Sequence, residues 1–198
     1  GELKEIVPAM LLQWFPGQEG GYALADILTG AYNPSGRLPL TFYTDSDDLP
    51  DFEDYDISKG RTYMYAEDNV TYPFGYGLSY TSFDYSDLRV TQSGREITAV
   101  LNVTNTGAVD GDEVVQLYVS NLDSGVTQPI RQLKAFKRIP VPKGKTRAVE
   151  LSFAVDDLAW WKKDRQQFAV NPGRYRIAVG RSSGDTVCEE IVQISGEE

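Results

Sequence analysis

From residue 83 onward, apolar residues occupy every second position. Phe83 to Gln92 reads as a first strand; in the next, Ile97, Ala99, Leu101 and Val103 alternate with Thr98, Val100, Asn102 and Thr104. A period of two marks a strand with one buried face. The pattern returns at Val115, Leu117 and Val119, from Gln132 to Ile139, at Val149, Leu151 and Phe153, at Tyr175, Ile177 and Val179, and from Thr186 to Ile194. Asn105-Thr106-Gly107 and Pro142-Lys143-Gly144-Lys145 are turns, and Asp156 to Trp161 is expected to form a short helical turn with Asp156 or Asp157 near its start. About seven strands at short spacing predict an immunoglobulin-like β-sandwich. Pro172-Gly173-Arg174-Tyr175 suits a tyrosine corner, in which a tyrosine at the start of the sixth strand bonds back to the preceding loop.

The first part of the chain follows another pattern. Ile6 to Phe15 is a nearly continuous apolar run ending at Pro16-Gly17, as expected of a buried parallel strand and a sharp turn. Gln18 to Thr29 carries Tyr22, Leu24, Ala25, Ile27 and Leu28 at three- and four-residue spacing, which predicts a helix stopped by Gly30, with Glu19 in its first turn. After the turn Asn33-Pro34-Ser35-Gly36, Arg37 to Tyr43 reads as extended. Strand, helix and strand make an α/β fragment too small to stand alone. The fold class is therefore mainly β: an immunoglobulin-like sandwich preceded by the C-terminal piece of an α/β domain.

Between the two lies Tyr72-Pro73-Phe74-Gly75-Tyr76-Gly77-Leu78-Ser79-Tyr80-Thr81. Gly75 and Gly77 allow close backbone approach, Pro73 fixes φ, and the aromatic rings offer apolar surface to both neighbours. It is expected to be packed in a groove as a joint. The expected boundaries are 1–43 for the α/β piece, 44–82 for an acidic loop and the joint, and 83–198 for the sandwich.

Charge sharpens this division. The net charge is −10, and residues 1–80 hold 4 basic against 13 acidic residues. Such acidity argues against a nucleic-acid or anionic-membrane partner. Asp45, Asp47, Asp48, Asp51, Glu53, Asp54 and Asp56 crowd one stretch around Pro50. That composition predicts a solvated loop; its spacing matches no calcium loop, and a mobile loop lacks the fixed geometry of paired catalytic carboxylates. Arg131, Lys134, Lys137, Arg138, Lys143, Lys145 and Arg147 form a basic region, read as a solvated face or as a contact to the acidic first part.

The chain contains no histidine and one cysteine, Cys188. Neither a Ser-His-Asp triad, nor a histidine-ligated zinc site, nor an internal disulfide can form. Cys188 lies on an alternating strand and reads as a structural thiol. Gly17, Gly20 and Gly21 sit where a strand would meet a helix, a place where open sheets bind ligands, but no phosphate-binding motif is present and close packing explains them as well. Trp160-Trp161 could stack on sugar rings, but a tryptophan pair between two sandwich strands is expected to pack in the core or between domains; Tyr63, Tyr65, Tyr72, Tyr76 and Tyr80 pose the same choice and are expected to glue the joint rather than bind substrate. Asn69-Val70-Thr71 and Asn102-Val103-Thr104 are glycosylation sequons. No run is long enough to span a membrane, no signal peptide opens the sequence, and a start at Gly1 suggests a piece of a longer protein.

The string YPFGYGLSYTSF, with GRTYMY before it and LLQWFPGQEGGYALADILTGAYNPSGRLPLTF upstream, resembles the C-terminal part of the family 3 glycoside hydrolases. It is most similar to members that remove β-linked glucose or xylose from non-reducing ends and carry a fibronectin type III-like domain. The resemblance implies hydrolysis with retention through a covalent glycosyl-enzyme, by an aspartate nucleophile in a barrel domain and a glutamate acid/base upstream of the LLQWFPGQEGG motif. Neither motif is found here. No catalytic, cofactor-binding or metal-ligating residue is assigned, Glu19 included, and no cofactor is expected. The implied partners are the remaining catalytic domains and a β-linked oligosaccharide or glycoside held mainly by them; a homodimer stays open. A secreted or periplasmic location is favoured by the resemblance. A second reading remains beside the structural one: a non-catalytic carbohydrate-binding or protein-interaction module.

Overall fold

The computed structural model describes residues 6–47, 49–66 and 68–195. Seven strands build the sandwich: β3 (Phe83–Ser93), β4 (Glu96–Asn105), β5 (Gly111–Asn121), β6 (Gln132–Val141), β7 (Thr146–Ala154), β10 (Gly173–Ser182) and β11 (Asp185–Ile194). One sheet has the order β11-β10-β5-β6 and the other β3-β4-β7, every neighbour antiparallel. The alternating positions of β4 face inward as predicted: Ile97, Ala99, Leu101 and Val103 are essentially inaccessible. Ile97, Ala99 and Leu101 stand opposite Phe153, Leu151 and Val149 of β7, so apolar pairs line up in register. Val115, Leu117, Ile177 and Val179 close the core from the other sheet. Tyr175 is buried and its hydroxyl donates to the Asn171 carbonyl at 2.9 Å, the geometry of a tyrosine corner.

A 3-10 turn, Val155–Leu158, follows β7. It leads into a hairpin of β8 (Trp160–Lys162) and β9 (Gln167–Ala169), too short and too charged to register as alternation in the sequence.

In the first part, α1 (Gly20–Thr29) ends at Gly30 in the left-handed region, with φ +77°. The Gly30 and Tyr32 amides return to the Ile27 and Asp26 carbonyls and close the last turn. The 6–15 run behaves differently from expectation. Residues 7–17 form no strand, and Phe15 is fully exposed, with Trp14 at 52%. A parallel strand needs neighbours to satisfy its backbone, and no strand pairs with this run among the described residues. Of the stretch from Arg37 to Tyr43, only β1 (Phe42–Tyr43) is a strand; it pairs antiparallel with β2 (Val70–Tyr72) just before the joint. A single helical turn, α2 (Thr62–Tyr65), lies between them.

Candidate functional site

The joint crosses the outer face of the four-stranded sheet, which explains an anomaly in β5. Val115, Leu117 and Val119 are buried toward the core, yet Gln116 and Tyr118 on the opposite face are buried too, at 3% and 1% exposure. The joint covers them. Gln116 Nε2 donates to the Gly75 and Arg181 carbonyls at 3.1 and 2.5 Å, while the Tyr118 hydroxyl donates to Gln116 Oε1 at 2.6 Å. Burial pushes the Tyr118 phenol pKa up. Gly75 has φ +81°, and a β-carbon there would stand 2.0 Å from Gln116 Oε1. Glycine is therefore required twice over, by backbone angle and by space. The Phe74 carbonyl accepts from the Ser183 amide at 2.9 Å, and the Phe74 ring stacks on Tyr63, centroids 4.3 Å apart. Phe74 and Tyr76 are half-buried.

On its other side the joint holds the α/β piece. Gly75 N donates to the Leu38 carbonyl and Leu38 N to the Tyr76 carbonyl, both at 2.8 Å, making the 37–38 segment a short ladder against it. Asn33 ties three segments: its Nδ2 donates to the Asp110 carbonyl, and its Oδ1 accepts from Ser79 Oγ and the Tyr80 amide. The Tyr80 hydroxyl donates to the Ile27 carbonyl at 2.8 Å, near the end of α1.

Arg37 goes deepest. Its Nη2 donates to both oxygens of Glu113, at 3.2 and 3.0 Å, and the two side chains are 9% and 1% exposed. Glu113 lies on β5 and also accepts from the Tyr85 hydroxyl of β3 at 3.0 Å. Burial, with the charge of Glu113 beside it, raises the Tyr85 pKa far above the ordinary phenol range. One cation from the first part thus meets β5 directly and is linked through Glu113 to Tyr85 of the other sheet.

The other sequence candidates do not converge. Glu19 is exposed at the start of α1 and caps nothing with its side chain. Gly17 takes φ +68°, and a β-carbon on Gly20 would run into Pro16 at 2.4 Å, whereas Gly21 has open space; two of these glycines serve the turn and its packing. Asp45, Asp51, Asp54 and Asp56 accept from backbone amides two residues on, a chain of local turns. Asp48 lies outside the described residues, and among those described no group of three acidic or cysteine side chains could hold a metal. Arg138 of the basic region reaches the first part through the Tyr32 hydroxyl at 2.6 Å, while Lys137, Lys143, Lys145 and Arg147 are exposed. Trp160 is half-buried, and Trp161 is turned outward against Phe168. Cys188 is partly buried against the core, and burial raises its thiol pKa. Asn69 is exposed; Asn102 donates to Asp87 at 2.9 Å.

Known proteins share this arrangement. Residues 2–80 match the glycosyl hydrolase family 3 C-terminal domain, and residues 113–183 the fibronectin type III-like domain. The xylan 1,4-beta-xylosidase of Xylanibacter ruminicola is 42% identical over 91% of this chain, and the periplasmic beta-glucosidase of Salmonella typhimurium 34% over 88%. The chain spans 21% and 25% of the length of these two relatives. Beta-glucosidase 3B from Thermotoga neapolitana, solved in complex with glucose, superposes with a TM-score of 0.90 at 33% identity, over 99% of this chain and 30% of that one. The chain belongs to the family 3 glycoside hydrolases, and carries the C-terminal-domain segment and the fibronectin type III-like domain of that family.

Proposed function

We propose that the chain is the C-terminal structural portion of an exo-acting, retaining β-glycosidase, a β-glucosidase first and a β-xylosidase next, and that it clamps the α/β domain against the sandwich. The observation that carries this is the Arg37–Glu113 contact, which anchors the first part inside the sandwich instead of on its surface. The working division is 1–43, 44–82 and 83–198, with the joint belonging to neither neighbour. The exposed apolar side chains of the first part, Ile6, Phe15, Tyr22 and Leu28 among them, then face the remaining catalytic domains. The nucleophile and the acid/base belong to those domains. The test is release of the aryl group from aryl β-glucosides and β-xylosides. The chain alone should give none at high concentration, and the complete parent should turn over. Turnover that follows the purified chain and vanishes in Glu19→Gln would overturn the assignment.

A further inference from the structure

Where the acidic loop and α2 meet the sandwich, a cleft of about 450 Å³ opens between residues 56–65 and the 127–132 segment, with Trp160 also lining it. Its size lies within the range of small-molecule sites. Trp160 and Tyr65 bring aromatic surface to it, and Ile57, Met64 and Pro129 add apolar surface. Its polar groups are conspicuously unengaged. The Gln132 amide, the Tyr65 hydroxyl and the Thr127 hydroxyl make no hydrogen bond to any described residue, although the Gln132 backbone is fixed in β6 opposite Val119. Asp56 uses only Oδ1, which accepts from the Ser58 amide at 3.0 Å and from Ser58 Oγ at 2.6 Å. Its Oδ2 stays open. The walls are held in place. The Ile130 amide donates to the Met64 carbonyl at 2.7 Å, and the Leu133 amide to the Tyr63 hydroxyl at 3.1 Å, so α2 is bonded to both sides of Gln132.

A pyranose has the matching chemistry: an apolar C–H face for an aromatic surface and a rim of hydroxyls that both donate and accept. We propose that this cleft is an accessory saccharide site that takes one or two sugar units of a β-linked oligosaccharide, with Trp160 and Tyr65 as aromatic walls and Gln132, Thr127, the Tyr65 hydroxyl and Asp56 Oδ2 bonding the hydroxyls. The site contains no catalytic residue; its role is to hold a chain end near the enzyme. The kind of sugar rests on the proposed parent activity.

Calorimetric titration of the chain with cellobiose and with xylobiose tests the site. Saturable binding of at least one is expected, abolished by Trp160→Ala and weakened about fivefold by Gln132→Ala or Tyr65→Phe, the equivalent of one lost hydrogen bond. Trp161→Ala, outside the cleft, should leave it unchanged. Tyr65→Phe keeps its ring and Gln132→Ala trims a side chain that is only partly buried, so both report even if Trp160→Ala fails to fold. No binding, binding indifferent to Gln132→Ala and Tyr65→Phe, or binding by the chain that the complete parent does not show would each overturn the site. Hydrolysis of aryl glycosides by the parent without disaccharide binding by the chain would sink this site alone. Binding by the chain with an inactive parent would sink the glycosidase reading and leave the site standing.

Discussion

Arg37 and Glu113, 76 positions apart in the sequence, form a two-oxygen ion pair in which the carboxylate is 1% exposed. Burying two charges is costly unless their remaining hydrogen-bonding capacity is met. Tyr85 supplies part of it for Glu113, and the Ser35 and Gly36 carbonyls accept from Arg37 Nη1 at 3.4 and 3.3 Å, while Arg37 Nε has no partner among the described residues. The pair therefore fixes position more than it adds stability. Breaking it is another matter, because one charge would remain buried and alone.

Arg37→Met and Glu113→Gln should each destabilise the chain by about 3–5 kcal/mol, the range for removing one member of a buried pair. The double variant should lose clearly less than the sum, since residues in one contact couple. Urea denaturation of the four proteins gives the coupling directly. Additive losses would show that the pair contributes nothing as a pair.

Gly75→Ala should be much more damaging than Gly144→Ala. Both glycines have positive φ, +81° and +67°, so both substitutions carry the strain of about 1–3 kcal/mol expected of a non-glycine residue there. Only Gly75 also meets a side chain, at 2.0 Å from Gln116 Oε1, whereas Gly144 faces open space. The difference between the two melting temperatures isolates the packing part. Equal losses would mean that Gln116 can move aside and that the joint is loosely seated.

The sandwich was legible because strands such as β4 and β7 bury one face only. They carry their core residues on alternate positions, and Tyr175, Ile177 and Val179 of β10 repeat the period. β5 was read by its inward face alone. Its outward Gln116 and Tyr118 look like solvent-facing residues until the joint is laid over them. The anchor was out of reach for a related reason. Arg37 and Glu113 read as ordinary charges in an extended stretch and a strand, and only tertiary closure brings them together. The 6–15 run shows the converse: a pattern suited to burial in a sheet, with no strand pairing to it among the described residues. The Trp160-Trp161 pair was readable as aromatic surface, but β8 sends the two rings to opposite sides, one toward the cleft and one toward Phe168.

Alkaline pH should weaken the fold in a way traceable to tyrosines. Burial raises the pKa of Tyr85, Tyr118 and Tyr175 in the folded chain. In the unfolded chain a phenol ionises near pH 10. The stability tied to the neutral phenols is fully present below that value. It is lost as pH rises from there toward the folded pKa, because only the unfolded state releases the proton. The urea midpoint should therefore fall steeply above about pH 10. Tyr85→Phe should flatten that slope even though it lowers the midpoint at neutral pH by removing the bond to Glu113. An unchanged slope would place the alkaline loss elsewhere.

The clamp itself is tested at Phe74. Its ring is half-buried, stacked on Tyr63 at 4.3 Å, and Tyr63 in turn meets the buried Tyr118 edge-on at 6.0 Å. Removing a fully buried Phe costs about 3–5 kcal/mol. With part of the ring exposed, about 2 kcal/mol is the fitting expectation for Phe74→Ala. The Tyr63 hydroxyl accepts from the Leu133 amide, so a loosened stack also frees α2 from the edge of β6. In the complete parent, Phe74→Ala should lower the melting temperature. It should also reduce turnover more than Lys143→Ala, whose side chain is exposed. The link is positional, since displacement of a catalytic group by about 1 Å can cost on the order of a hundredfold. Phe74→Leu, which keeps an apolar side chain in the groove, should recover part of both losses. If Phe74→Ala leaves melting and turnover as they were, the joint is a tether, and the hold on the α/β domain rests on Arg37, Asn33 and the Arg138–Tyr32 contact.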